Sequence, residues 1–274
     1  MVLVTAPRSL PSLPGDSCWA KVMDARLKQS HSVGEWHVDD LDVPSCLLHV
    51  LPSDDGRSSR VQLGFAGSST SAALTLCLAA VASVQTANVT FAAVDRQLVA
   101  PLQAALASGN PCRSMAWREQ CGLYMPTGSS DSHDAGSHRL PPGATLRALR
   151  PTDAETINEC WTYRSATSLP MIQSMLSGAC AGCVGCEVDG ELIGWICRYL
   201  DGALGMLFVV EPFRRQGVAN ALVADAVRAL TAARGAPAFC YIVDGNAASR
   251  ALFEGQGWTR VASADWVGFC LSES

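Results

Sequence analysis

The sequence predicts a mixed α/β protein in two parts, and three observations predict it. Of its 274 residues, 49% are hydrophobic and 16% charged, enough to bury a core and too apolar for a disordered chain. Across residues 144–274, short apolar runs alternate with longer amphipathic stretches in the order β-α-α-β-β-β-α-β-α-β-β. Between the parts, Pro126–Gly143 (PTGSSDSHDAGSHRLPPG) has no apolar periodicity and reads as a flexible linker. It separates residues 17–125 from residues 144–274. Residues 1–16, with Pro7, Pro11 and Pro14, read as a loose N-terminal tail.

In the first part, Ser45–Leu51 and Arg60–Ala66 pattern as a hairpin. Ser71–Val84 patterns as a helix, Asn88–Val94 as a strand and Arg96–Ala107 as a helix. In the second part, Thr145–Arg150 is a strand. A helix over Thr152–Arg164 is signalled by Thr152 with Glu155 three residues on, a capping box. Ser168–Leu176 is a second helix, capped by Ser168 with Pro170 in its first turn. Cys180–Val188 and Glu191–Leu200 form a hairpin across Asp189-Gly190. Ala203–Val210 is a strand, and Gln216–Arg234 is a helix closed by Gly235. Ala238–Val243 is a strand and Ala247–Gln256 a helix, followed by strands at Trp258–Ala262 and Trp266–Leu271.

Two stretches carry chemistry. Arg214-Arg215-Gln216-Gly217-Val218-Ala219 joins an apolar strand, which supplies Phe208, Val209 and Val210, to a long helix. Backbone N–H groups in a first helical turn have no internal partner, and the helix dipole adds about half a positive charge there. Small residues at 217 and 219 let the backbone approach a pyrophosphate closely. The spacing is neither a Walker loop, which needs a following Lys, nor G-x-G-x-x-G. The second stretch runs from Asn246 to Trp258. Asn246 can cap the helix. Ser249, Leu252 and Phe253 share one side of it, and Gly257 ends it. Arg250 lies on the same helix.

The two stretches, in this order, resemble the (Gln/Arg)-x-x-Gly-x-(Gly/Ala) turn and the Asn-x-x-(Ala/Ser)-x-x-(Leu/Phe)-Tyr-x-x-x-Gly-(Phe/Trp) segment of the GCN5-related N-acetyltransferase (GNAT) superfamily. The resemblance covers residues 144–274 and implies an acetyltransferase-type fold there. The first part, β-β-α-β-α, is similar to a shortened, degenerate copy without either motif, so an internal duplication is expected, with an unrelated cap domain as the alternative. Asn158–Ser165, Val188–Trp195 and Gly202–Leu207 are similar to glycine N-acyltransferase-like proteins. The resemblance implies an N-acyltransferase moving an acyl group from acyl-CoA, a co-substrate and not a bound cofactor, to glycine or another small amine. It implies that Phe208–Val210, Arg214–Ala219, Asn246, Ser249, Arg250 and Phe253 hold the coenzyme.

The resemblance also marks two departures. A Glu base is often found eleven positions ahead of the first Arg of the turn, where this chain has Ala203. The usual acid, a Tyr, is replaced by Phe253, which can line the pantetheine channel but cannot donate a proton. Asp201, two residues before Ala203 on a continuing strand, is a candidate base, and Asp244 is another. An exposed N–H of Leu207–Val210 can stabilise the oxyanion. Arg164 can pair a substrate carboxylate. A protein or polyamine acceptor, and an acyl-CoA-binding pseudoenzyme without turnover, are the alternatives.

Composition excludes other classes. Net charge is −5 and pI about 5.5, which argues against a nucleic-acid partner. No apolar run reaches the roughly 18 residues of a membrane span; Ala72–Val84 is the longest and reads as a buried helix. Asp16 and Asp24 argue against a mitochondrial transit peptide, so an intracellular, cytoplasmic protein is expected, with the mitochondrion as the alternative. Twelve cysteines without a signal peptide read as reduced thiols. Cys180-x-x-Cys183-x-x-Cys186 has a spacing that suits a metal, with Cys197 the nearby fourth ligand. The competing reading, buried strand residues, leaves no metal assigned.

Overall fold

Hydrophobic patterning and turn chemistry place most elements of the computed structural model. The structure describes residues 2–4, 18–27, 35–38, 46–52, 58–65, 70–83, 86–127, 140–177, 181–199, 201–234 and 238–272. The chain forms two compact units. One comprises Met1–Leu123, Tyr241–Gly245 and Arg260–Ser274; the other comprises Tyr124–Cys240 and Asn246–Thr259.

In the first unit, β1 (Val2–Val4), α1 (Cys18–Leu27) and β2 (Glu35–Val38) precede the expected hairpin of β3 (Cys46–Pro52) and β4 (Ser58–Phe65). Then come α2 (Thr70–Ser83), β5 (Asn88–Asp95), α3 (Arg96–Ala107) and β6 (Arg113–Pro126). The strand order is β1-β2-β3-β4-β5-β12-β6, where β12 (Trp258–Leu271) runs antiparallel to β5. Leu76, Cys77 and Ala80 of α2 and Leu98, Val99 and Leu102 of α3 are buried, and Phe91 meets Phe269 edge-on at 5.9 Å. Apolar burial of this kind is the main favourable term in folding. Asp265, at a bulge in β12, is fully buried and accepts from Arg96 Nε at 2.8 Å and Arg118 Nε at 2.7 Å. A buried charge survives only with such pairing.

In the second unit, β7 (Thr145–Ala148), α4 (Ala154–Cys160), α5 (Ser168–Leu176), β8 (Val184–Val188) and β9 (Glu191–Arg198) lead to β10 (Leu204–Val209). Next come α6 (Val218–Arg234), β11 (Cys240–Val243), of which only Cys240 belongs to this unit, and α7 (Ala247–Glu254). The order is β10-β9-β8-β7, with Cys240 paired to Leu204. The β8–β9 turn has Asp189 at φ 51° and Gly190 at φ 84°, the two left-handed residues a type I′ hairpin requires. Leu149, Ile157, Ile172, Met175, Trp195 and Cys197 form the core beneath α4 and α5.

Several expectations are corrected. Val2–Val4 of the supposed loose tail pairs with β2 as a strand. Of the linker, Pro126 ends β6, Thr127 bonds Gly257 at 3.0 Å and Ala144 N–H closes a turn on Pro141, while 128–139 lie outside the described residues. The terminal stretch is one bulged strand, β12, and its Arg260–Leu271 portion packs with the first unit because it pairs with β5. The helix expected over Thr152–Arg164 is shorter. A 3-10 turn, Pro151–Asp153, precedes α4, and Trp161 leaves it in extended conformation. The start is set by Asp153, not Thr152: its carboxylate accepts from Arg150 N–H at 2.6 Å and from both arms of Arg147 at 2.8 and 3.0 Å. No helix among the described residues is long and apolar enough to cross a membrane.

Burial pushes the Asp153 carboxyl up, but the Arg147 guanidinium and the Arg150 N–H outweigh burial and hold it below the usual carboxylate value. A carboxyl depressed in the folded state stabilises above its unfolded pKa, and that contribution is lost as pH falls through the folded one. Asp153→Asn should therefore cost about 1–3 kcal/mol at neutral pH and flatten the acid limb of stability against pH, measured by urea unfolding across pH 2–7.

Candidate functional site

The site is built around β10. Its antiparallel register with β9 pairs Leu204 with Arg198 and Gly205 with Cys197, then resumes at Phe208 with Trp195 and Val209 with Gly194. Met206 and Leu207 fall in the bulge between, and Met206 is left-handed at φ 51°. On its other side, Leu204 pairs in parallel with Cys240, and Leu204 N–H donates to Phe239 O at 2.8 Å. Residues 205–208 of β10 are half-buried.

At its C-terminal end, β10 leads through a 3-10 turn, Glu211–Phe213, into Arg214–Gly217. Arg215 (φ 62°) and Gly217 (φ 85°) are left-handed, a turn that directs successive N–H groups to one side. Ala221 N–H makes the bond to Gly217 O at 3.0 Å, so the N–H groups of Val218, Ala219 and Asn220 precede the intrahelical ladder of the 17-residue α6. The structure thus brings Arg214–Ala219 together as an N–H-rich, positively charged turn. Arg214 holds it to β10: its Nε donates to Val209 O at 2.9 Å, and its guanidinium lies 5.7 Å from the Phe208 ring, which stacks on Trp195. Gln216 Nε2 donates to Pro212 O at 2.8 Å. Arg214, Arg215 and Gln216 are exposed and Val218 is buried.

The second stretch joins this turn. Asn246 Oδ1 accepts from Ser249 N–H at 3.0 Å, a side-chain cap on α7. Gln256 Nε2 donates to Asn220 Oδ1 at 3.3 Å, tying the end of α7 to the start of α6. Arg250 is exposed. Phe253 differs from expectation. It is 4% exposed, with its ring edge on Trp258 at 4.9 Å, so it is committed to the core beneath α7 and does not face a channel. Helix α7 itself ends at Glu254, one turn before the left-handed Gly257.

The candidate bases are placed as follows. Asp201 does not continue β10. It lies in the β9–β10 turn, 8% exposed, where its Oδ1 accepts from Ala203 N–H at 3.0 Å and Gly202 is left-handed at φ 92°. Asp244 is clamped between Arg96 and Arg260 at 2.9 and 3.0 Å. Burial raises its pKa, but those guanidiniums more than offset it and hold the carboxyl below its usual value. Val210 N–H is spent on Ile193 O at 2.9 Å. Arg164 bonds the Glu159 carbonyl in the last turn of α4, and Tyr163 beside it is 62% exposed.

Sequence reasoning missed Tyr199. Its ring lies over Gly205: a Cβ there would sit 2.3 Å from Tyr199 Cε2. The phenol is thereby held beside the bulge, a placement visible only once Gly205 is known to pair with Cys197. Gly194 was likewise quoted without its role. A Cβ at 194 would meet Phe208 O at 3.0 Å and Val218 Cγ1 at 3.2 Å, so only glycine lets β10 and the start of α6 close onto β9.

The cysteine motif does not converge. Strand alternation sends Cys183 and Cys186 to opposite faces of β8, Cys180 lies outside the described residues, and no metal-binding cluster occurs among the described residues.

A family model described as FR47-like protein matches residues 182–267. No curated protein matches the chain. Among solved structures, a Drosophila protein is 18% identical over 87% of this chain and 80% of its own, with a TM-score of 0.69. A GCN5-related N-acetyltransferase from Kribbella flavida is 13% identical over 95% and 98%, with a TM-score of 0.56. A tandem GNAT protein from the clavulanic acid biosynthesis pathway is 14% identical over 98% and 93%, also at 0.56. The fold is that of the GCN5-related N-acetyltransferases.

Gly194→Ala should destabilise the protein by roughly 1–3 kcal/mol through overpacking. Thermal unfolding with and without the change checks this, and an unchanged Tm would mean that β10 and α6 can move apart freely.

Proposed function

We propose that the chain is an acyl-CoA-dependent N-acyltransferase that moves an acyl group onto the amine of glycine or another small amine by direct attack. The observation that carries the reading is a conjunction within the second unit: β10 is bulged between Gly205 and Phe208 and runs into a left-handed turn and the N-terminus of α6. The pyrophosphate of the coenzyme occupies the N–H groups of Arg215–Ala219, beside Arg214 and Arg215. The pantetheine arm lies along β10, bonding the backbone at its bulge. That places the thioester near the bulge. The capped α7, with Asn246, Ser249 and Arg250, borders the coenzyme. Phe253 serves this site only by supporting α7 from the core.

The amine nitrogen, deprotonated by solvent or a relayed water, attacks the thioester carbonyl carbon. A C–N bond forms, the carbonyl oxygen takes the negative charge, and backbone N–H groups of the bulge stabilise it. The tetrahedral centre then collapses, the C–S bond breaks, and the thiolate leaves. The Tyr199 phenol, whose ring lies over Gly205, gives that thiolate a proton and regains one from the former amine nitrogen as the amide forms. Asp201, with its carboxylate turned onto Ala203 N–H, organises the turn that presents β10; a base role for it is the weaker reading. The engagement of Asp201 with Ala203 N–H and of Asp244 with Arg96 and Arg260 also fits an acyl-CoA-binding pseudoenzyme, which would bind without turnover.

The test is incubation with acetyl-, benzoyl- and longer acyl-CoA donors and a pool of amino acids and amines, read by mass spectrometry. An N-acyl amino acid is the expected product. An acylated polyamine or protein would move the acceptor, and tight acyl-CoA binding with no product would establish the pseudoenzyme. Gly217→Glu should weaken acyl-CoA binding on the order of 100-fold, because a carboxylate would stand where phosphate binds; calorimetry reads it. Tyr199→Phe should lower kcat roughly 100-fold with KM little changed. Asp201→Asn, which keeps the acceptor oxygen, should retain turnover if Asp201 organises the turn and abolish it if Asp201 is the base.

A further inference from the structure

We propose that Cys183 and Cys197 form a thiol pair that oxidises to a cross-strand disulfide, a modification site independent of acyl transfer. The register of β8 and β9 pairs Val184 with Ile196 and Gly185 with Trp195, and its next step sets Cys183 opposite Cys197. Two contacts support that step. Arg198 N–H lies 3.3 Å from Cys183 Sγ, which puts the sulfur alongside the end of β9. Leu149 N–H donates to Cys183 O at 3.1 Å, which extends the β7–β8 register to the same residue.

The second contact also fixes the type of pair. In an antiparallel sheet a residue's N–H and C=O point to the same neighbour. The Cys183 carbonyl points at Leu149, so across the other edge Cys183 and Cys197 form a non-hydrogen-bonded pair. Such pairs have Cα atoms about 4.5 Å apart, with side chains close together on one face. That lies within the range a disulfide spans, about 4.4–6.8 Å. Neither Cys183 nor Cys197 is in a disulfide, and both belong to the core cluster under α4 and α5. Cys186, three residues along, faces the other side of the strand.

The step takes two thiols and one low-molecular-weight disulfide or diazene oxidant. One S–S bond forms between Cys183 and Cys197, the two thiol protons are released, and the oxidant is reduced by two electrons. The product staples β8 to β9 beside Trp195.

The folded full-length protein is treated with diamide, alkylated, and cleaved after glutamate without reduction. This cleavage, which spares the Glu211–Pro212 bond, puts Cys183 in the fragment Cys160–Glu187 and Cys197 in Leu192–Glu254. The expected result is a cross-linked pair of these fragments, assigned to Cys183 and Cys197 by tandem mass spectrometry, with a raised Tm that dithiothreitol reverses. Cys197→Ser should abolish the cross-link and the shift. Alkylated Cys183 and Cys197 at diamide levels that oxidise the exposed Cys112 and Cys160 would overturn the proposal, as would a bond from Cys197 to Cys186. Neither readout depends on CoA binding or turnover, so failure here leaves the acyltransferase reading untouched.

Discussion

Strand β10 is held in a bulge between Gly205 and Phe208, and Met206 within it is left-handed. Holding a non-glycine residue left-handed costs about 1–2 kcal/mol. Strain of this kind persists where the surroundings over-determine it, and it clusters at ligand sites. The surroundings here are specific. Gly194 lets β9 lie close under Phe208 and Val218, Trp195 stacks on Phe208, and Tyr199 covers Gly205. The turn at Arg215–Gly217 follows from the same arrangement, since Arg214 anchors to the carbonyl of Val209, the last residue of β10.

The features legible in the sequence are those written in a few consecutive residues. Asp189-Gly190 specified its turn because only that chemistry suits two left-handed positions. Asn246 specified its cap, and Arg96–Ala107 specified a helix whose bounds the structure reproduces. The features that escaped are settled by distant partners. Strand β6 and the continuity of β12 depend on neighbours far along the chain, and the start of α4 depends on Arg147 outbidding Thr152 for control of the turn. Phe253 illustrates the limit. Its place in the motif suggested a channel wall, but a phenyl ring beside Trp258 is better buried than wetted. Asp201 failed as a strand residue because an Asp before Gly can fold its carboxylate onto a backbone N–H, a local bond that competes with extended structure.

The two halves use one local device differently. In each, a strand is followed by a side-chain cap and then a helix: Asp95 Oδ1 accepts from Gln97 N–H at 2.9 Å ahead of α3, as Asn246 Oδ1 accepts from Ser249 N–H ahead of α7. The residue after Asp95 is Arg96, and its guanidinium is committed to Asp265 and Asp244. The residue after Asn246 is Ala247, exposed and uncharged. A helix start occupied by a paired guanidinium is held to its own unit and gains stability. One left small and capped by a neutral amide stays open to a ligand.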